Sequence, residues 1–122
     1  VKGEEMKYII PYIPQSDNHY KGRQNVWEYR NDKKLWLELG QVYIRPRPKE
    51  PYKKAVVTIK YFFKTKARHD PDNYSGKFIM DCLTEYGVIQ DDSFDCVKLI
   101  IEGGYDKNNP RTEVEVISGD TD

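Results

Sequence analysis

The chain has 122 residues, and its 20 Lys and Arg balance its 20 Asp and Glu, so length and charge allow one domain whose core needs no metal or disulfide staple. Ten tyrosines, four phenylalanines and two tryptophans exclude a disordered chain, and no apolar run approaches the roughly 18 residues of a membrane span. Nothing at the start has the pattern of a secretory signal, and Cys82 and Cys96 read as buried thiols of a reducing compartment, not as a disulfide framework.

Residues 6–13 read as a first strand, shortened or confined to an edge by Pro11 and Pro14. Residues 14–25 form a polar loop of turn residues, and loops of this length are often functional. A helix is expected over 26–43. Asn25 is a candidate N-cap, Trp36, Leu39 and Tyr43 fall at helical spacing, Gly40 weakens the last turn, and Arg45-Pro46-Arg47-Pro48 ends the helix. Residues 54–65 are the clearest strand, with Val57, Ile59, Tyr61 and Phe63 on one face. A second helix is expected over 73–86, with Tyr74, Phe78, Ile79, Cys82, Leu83 and Tyr86 as its apolar stripe and Gly87 closing it. Val88-Ile89 and residues 97–101 read as strand. The alternation of 112–117 predicts a last strand, paired with 97–102 as a hairpin. The order β-α-β-α-β-β makes a small single-domain α/β (α+β) fold over 1–122, with a mixed sheet and two main helices.

The neutral total conceals a strong segregation of charge. Residues 43–68 carry nine Lys or Arg against the single Glu50, and residues 69–95 carry seven Asp or Glu against the single Lys77. A basic block suits a phosphate backbone and clustered aspartates suit a hard cation, although two solvated faces would give the same pattern.

The chemistry concentrates in His69-Asp70-Pro71-Asp72-Asn73-Tyr74. Pro71 biases Asp70 towards extended backbone, where residues two apart point the same way, so Asp70 and Asp72 are expected to project together just ahead of a helix. On that helix Asn73, Lys77 and Asp81 share the face opposite the apolar stripe. Beyond it stand Asp91 and Asp92, only one of which reaches a shared ion if the backbone there is extended. Each close carboxylate pair costs on the order of 4 kcal/mol at 4 Å and a surface-like dielectric, a cost that protons or a cation must offset. Oxygen-only donors select Mg²⁺, Mn²⁺ or Ca²⁺ over zinc, and such an ion suits displacement at phosphorus, with Lys77 placed to steady the phosphorane. The plainer alternative has Asp70 or Asp72 capping the helix and Asp91-Asp92 forming a turn. An EF-hand loop is excluded, because Ser75 stands at the glycine position and Asp81 at the closing glutamate.

Asp70-Pro71-Asp72-Asn73, Lys77, Asp81 with Leu83, and Gly87-Val88-Ile89-Gln90-Asp91-Asp92-Ser93 together resemble the RusA-type Holliday-junction resolvases, small endodeoxyribonucleases often carried by phages and prophages. The loop from Pro11 to Tyr20 is similar to that family's proline-rich, asparagine-containing loop. The resemblance implies a Mg²⁺-dependent homodimer, with Mn²⁺ as a possible substitute, that binds four-way junction DNA and nicks two opposing strands in the cytoplasm of a bacterial or phage-infected cell. It makes Asp70, Asp72 and Asp92 the essential carboxylates, with Asp91 beside them as a further metal-ligand candidate, and Lys77 the functional lysine. The sequence departs from the family pattern by one extra residue within Tyr74-Ser75-Gly76, which turns Lys77 about 100° further round a helix, and by Asp95 where an apolar strand residue is expected.

The basic block then supplies a phosphate track, with Arg45, Arg47, Lys64, Lys66 and Arg68 as candidates, and Tyr20, Trp27 and Tyr29 could stack on opened bases. Trp36, and on one reading Trp27, goes to the core. His69 is expected to be structural or to touch phosphate. The competing functions are a DNA-binding module without catalysis and a small cation-binding interaction domain.

Overall fold

The computed structural model describes residues 4–22 and 25–119. Its centre is strand β2 (Ala55–Phe63), where alternation buries Ala55, Val57, Ile59 and Tyr61 and leaves Val56, Thr58, Lys60 and Phe62 half-exposed on the other face. With β1 (Glu5–Ile10), β3 (Val97–Tyr105) and β4 (Arg111–Ser118) it makes a four-stranded mixed sheet in the order β1-β4-β2-β3. Helices α1 (Val26–Tyr43) and α2 (Lys77–Glu85) complete a small α+β domain, and none of its helices is long and apolar enough to cross a membrane.

The register places Tyr8, Val114, Ile59 and Ile101 in one row across the sheet. The first three are buried, and they share one core with Trp36 of α1 and Phe78, Ile79, Cys82 and Leu83 of α2. Thr112, the buried polar residue of this face, donates its hydroxyl hydrogen to the carbonyl oxygen of Tyr12 at 2.6 Å, which removes the penalty of an unmet donor.

Three expectations are corrected. Strands β3 and β4 do not form a hairpin: β3 pairs parallel to β2, while β4 lies antiparallel between β1 and β2. The alternation of 112–117 fits any half-buried strand, and β4 has core neighbours on both sides at this central place. The second helix starts at Lys77 and not at residue 73, because Pro71–Asn73 forms a separate 3-10 turn and Gly76 has a φ of 80°. That left-handed conformation suits glycine, and a Cβ there would stand 2.7 Å from Ile59 Cδ1. The extra residue therefore falls in the break ahead of the helix and leaves Lys77 as its first residue. Asn25 sits at the N-cap position of α1 without capping it; its side-chain amide donates to the carbonyls of His19 and Lys21 and ties down the preceding loop.

Gly40, expected to weaken α1, lets the two helices meet. A Cβ there would lie 2.9 Å from Cys82 Sγ and 3.0 Å from a Tyr86 ring carbon. Strand β1 stops at Ile10, just before Pro11, and Asp95 lies exposed in the turn before β3, outside the strand.

Candidate active site

The acidic loop is carried by an aromatic stack at the end of β2. His69 lies flat on Phe63, with ring centroids 3.7 Å apart and planes within 4°. Tyr74 packs against Phe63, Tyr61 and His69. His69 is thus the structural residue expected. Between the two anchors, Asp70 is extended (φ −105°, ψ 135°), as Pro71 requires. Asp72 falls within the 3-10 turn that follows, so the alternation argument for a shared direction of Asp70 and Asp72 does not hold. Neither caps the second helix, whose N-cap is Gly76.

A second anchor comes from the N-terminal loop. The backbone N–H of Ser75 donates to Asp17 Oδ2 at 3.1 Å, and that of Asn18 donates to Asn73 Oδ1 at 2.7 Å. Asn73 is therefore engaged in holding the loop, not presented on a helix face with Lys77. The Tyr61 hydroxyl is buried without a hydrogen-bond partner, and burial first, then the nearby Asp17 and Tyr74, pushes its pKa up. Asp17 and Asn18 are site residues that the sequence reading missed; the asparagine-containing loop was their only signal.

Lys77 opens α2 and bonds Asp81 one turn on, Nζ to Oδ1 at 2.8 Å. This hydrogen bond, with lesser contributions from the charges of Asp81 and Asp92, raises the lysine's pKa, against a lowering by partial burial. The other Asp81 oxygen is buried and lies 4.0 Å from Lys33 Nζ. Lys77 and Asp92 line one open groove of about 730 Å³, together with Ser75, Met80, Phe94 and Leu99. Asp70 lines a separate hollow of about 100 Å³ with His69, Pro71, Tyr74 and Gly103. The structure thus groups Asp92 with Lys77. Asp70 and Asp72 form another group around Arg68, whose Nε donates to Asp70 Oδ1 at 2.9 Å and whose pKa is raised by Asp70 and, more weakly, by Asp72. Among the described residues, no three His, Cys, Asp or Glu side chains stand close enough to hold a metal ion. By chemistry the donors fit a hard cation: Asp72, Asp91 and Asp92 are exposed carboxylates, and no thiol or imidazole accompanies them in their loops beyond the stacked His69.

The basic candidates divide. Arg45 and Arg47 lie in the segment before β2 and both bond the carbonyls that end α1; Arg47 also stacks over Tyr86. Lys64, Lys66 and Arg68 follow the strand and are exposed, with Lys66 over the Tyr105 ring. A strand of nine residues runs between the two groups. Tyr20 and Tyr29 pack edge-on with each other and against Phe78. Trp36 is buried in the core, whereas Trp27 is 71% exposed under Arg30 and is not a core residue. Burial pushes the Cys82 thiol up to about 12, helped by Asp81 and Glu85; such a thiol is not a nucleophile at neutral pH.

No curated protein matches the chain. The family model for the endodeoxyribonuclease RusA matches residues 11–117, a span that holds both acidic loops, the lysine between them and every strand but the first in full. The chain therefore belongs to the RusA endodeoxyribonuclease family, the nucleases that resolve Holliday junctions.

Proposed function

We propose that this chain is a divalent-cation-dependent resolvase that cuts four-way DNA by paired nicks in opposing strands, acting as a homodimer in the cytoplasm. The observation that carries the reading is the family match over 11–117, combined with exposed carboxylates on both sides of Lys77. Asp70, Asp72 and Asp92 would hold the ion, with Asp91 adjacent, and Mg²⁺ is the expected ion with Mn²⁺ as substitute. When bound, the ion supplies charge stabilisation at phosphorus and an activated water.

The chain's own residues do the rest. Lys77 presents a fixed positive charge at the groove that Asp92 lines, and Asp81 holds its ammonium in place. Lys64, Lys66 and Arg68, exposed beside the acidic loop, offset the repulsion between its carboxylates and the phosphates. Trp27 offers a base a free aromatic face. A C₂ dimer would present two such sites to a junction that itself has near-twofold symmetry.

The test is incubation with a synthetic four-way junction and with linear duplex, in Mg²⁺ or in EDTA. Paired nicks near the crossover, dependent on Mg²⁺ and absent with duplex, are expected. Asp72→Asn should abolish cleavage and keep or tighten junction binding, because it removes a charge that repels phosphate. Binding without cleavage by the wild-type chain would make it a DNA-binding module, and wild-type cutting by Asp72→Asn would move the site elsewhere.

A further inference from the structure

We infer that the free edge of β3 is the surface on which two copies of this chain pair, antiparallel, about a twofold axis through Ile100. The inference deepens the homodimer reading above and rests on it only for the expectation of two copies; it involves neither DNA nor metal. Strand β3 ends the sheet order, runs nine residues without proline, and leaves one row of N–H and C=O groups without a strand partner. Such an edge templates pairing unless it is covered. Leu99 and Tyr105 on this strand, and Phe94 just before it, are exposed. Leu99, Phe94, Met80 and Val97 line the groove of about 730 Å³ that opens beside the same edge.

The register follows from hydrogen-bond phase and charge. The N–H of Ala55 donates to the carbonyl of Cys96 at 2.8 Å, so even-numbered residues of β3 turn their polar backbone groups towards β2, and Leu99, Ile101 and Gly103 turn theirs outward. Antiparallel pairing between two copies must set outward residues against outward residues, so the axis passes through a residue and not between two. An axis at Lys98 sets lysine against lysine, and one at Glu102 sets glutamate against glutamate. An axis at Ile100 sets Lys98 of each copy against Glu102 of the other. Leu99 and Ile101 then exchange their backbone hydrogen bonds, and the Lys98–Glu102 pairs occupy the close, non-hydrogen-bonded positions where cross-strand side chains interact most. The same register brings Phe94 of each copy level with Asp106 of the other, next to the exposed Tyr105, and sets the second copy's strand along the open groove.

Sedimentation of the protein alone tests the pairing. The wild-type chain should form dimers. Lys98→Glu, which sets glutamate against glutamate twice, should weaken them about tenfold or more, and the exchanged pair Lys98→Glu with Glu102→Lys should recover the wild-type affinity. Under mild oxidation Ile100→Cys should cross-link across the axis, where opposed Cα atoms come within disulfide reach, while Leu99→Cys, which faces position 101, and the parent chain with its native cysteines should not. A chain that stays monomeric at every concentration, or a dimer indifferent to the charge reversal and not linked at position 100, overturns the inference. Either result leaves the nuclease reading to its own assay, and junction cleavage by a monomer would separate the two.

Discussion

The Asp17 carboxylate accepts the backbone N–H of Ser75 at 3.1 Å across 58 residues of chain. With the companion bond from Asn18 N–H to Asn73 Oδ1, it fastens the loop that carries Asp70 and Asp72 to the loop after β1. The aromatic stack of Phe63, His69 and Tyr74 fixes the start of the acidic loop, and Asp17 fixes its end, immediately before Gly76 and Lys77. A catalytic group displaced by about 1 Å can lose a hundredfold in rate, so this pin bears on chemistry more than on stability.

Asp17→Ala should cost about 1 kcal/mol of stability and lower the rate of junction cleavage, with little change in junction affinity. Asp17→Asn keeps an acceptor oxygen and should restore most of the rate. Single-turnover cleavage set beside equilibrium binding separates these effects. Equal losses of rate and affinity in Asp17→Ala would show that the residue serves the DNA interface instead of positioning the loop.

Gly40→Ala should destabilise the domain by about 1–3 kcal/mol, the range for overpacking a filled interior. The added carbon meets Cys82 Sγ at 2.9 Å and the Tyr86 ring at 3.0 Å, and Cys82 is fixed by its own bond to the Trp36 carbonyl at 3.1 Å. In isolation, alanine would favour the helix over glycine by about 1 kcal/mol, so the sign of the change decides whether helix contact or helix propensity governs this position. Urea denaturation of the two proteins measures it.

How far the sequence discloses this molecule depends on the range of the interaction. Helix α1 was legible from 26 to 43 because its periodicity and the proline pair after it are local signals, and β2 was legible from its alternation. The pairing of β4 was not: a strand of alternating polarity carries no mark of which neighbour it joins, and insertion between β1 and β2 is decided by the whole core. The break at Tyr74-Ser75-Gly76 was missed because the apolar stripe continues through Tyr74 in register with Phe78, while the glycine that interrupts the helix is set by its contact with Ile59 on a distant strand. Within the site, the residue types of Asp70, Asp72, Asp92 and Lys77 were readable. Their arrangement as two groups was not, because Asp17 and Arg68, which hold or engage the acidic loop, act through space.

Replacing Lys64 and Lys66 together by alanine should weaken binding to junction and duplex alike and flatten the salt dependence by about two units of the log–log slope, if each lysine meets one phosphate. Both are exposed and follow β2 directly into the acidic loop. Arg45→Ala should change the slope less, because that guanidinium is engaged with the Gln41 carbonyl at the end of α1. Affinities measured at several salt concentrations check both statements, and an unchanged slope in the double variant removes the two lysines from the track.

Lys77 fixes the alkaline limit of its own contribution. Its hydrogen bond to Asp81 raises its pKa above the ordinary 10.5, so the folded protein holds this proton more tightly than the unfolded chain does. The stabilisation from the pair is fully present below the unfolded value and is lost as pH climbs through the raised folded value. Across neutral and mildly alkaline solution the lysine stays charged, and cleavage should show no fall from this group there. Asp81→Asn removes the carboxylate that is the largest cause of the shift and should move the alkaline limb of the rate profile to lower pH. Lys77→Met should abolish that limb together with most of the rate. An alkaline limb identical in wild type and Asp81→Asn would mean that the titrating group is not Lys77, and that the ammonium at the groove serves binding alone.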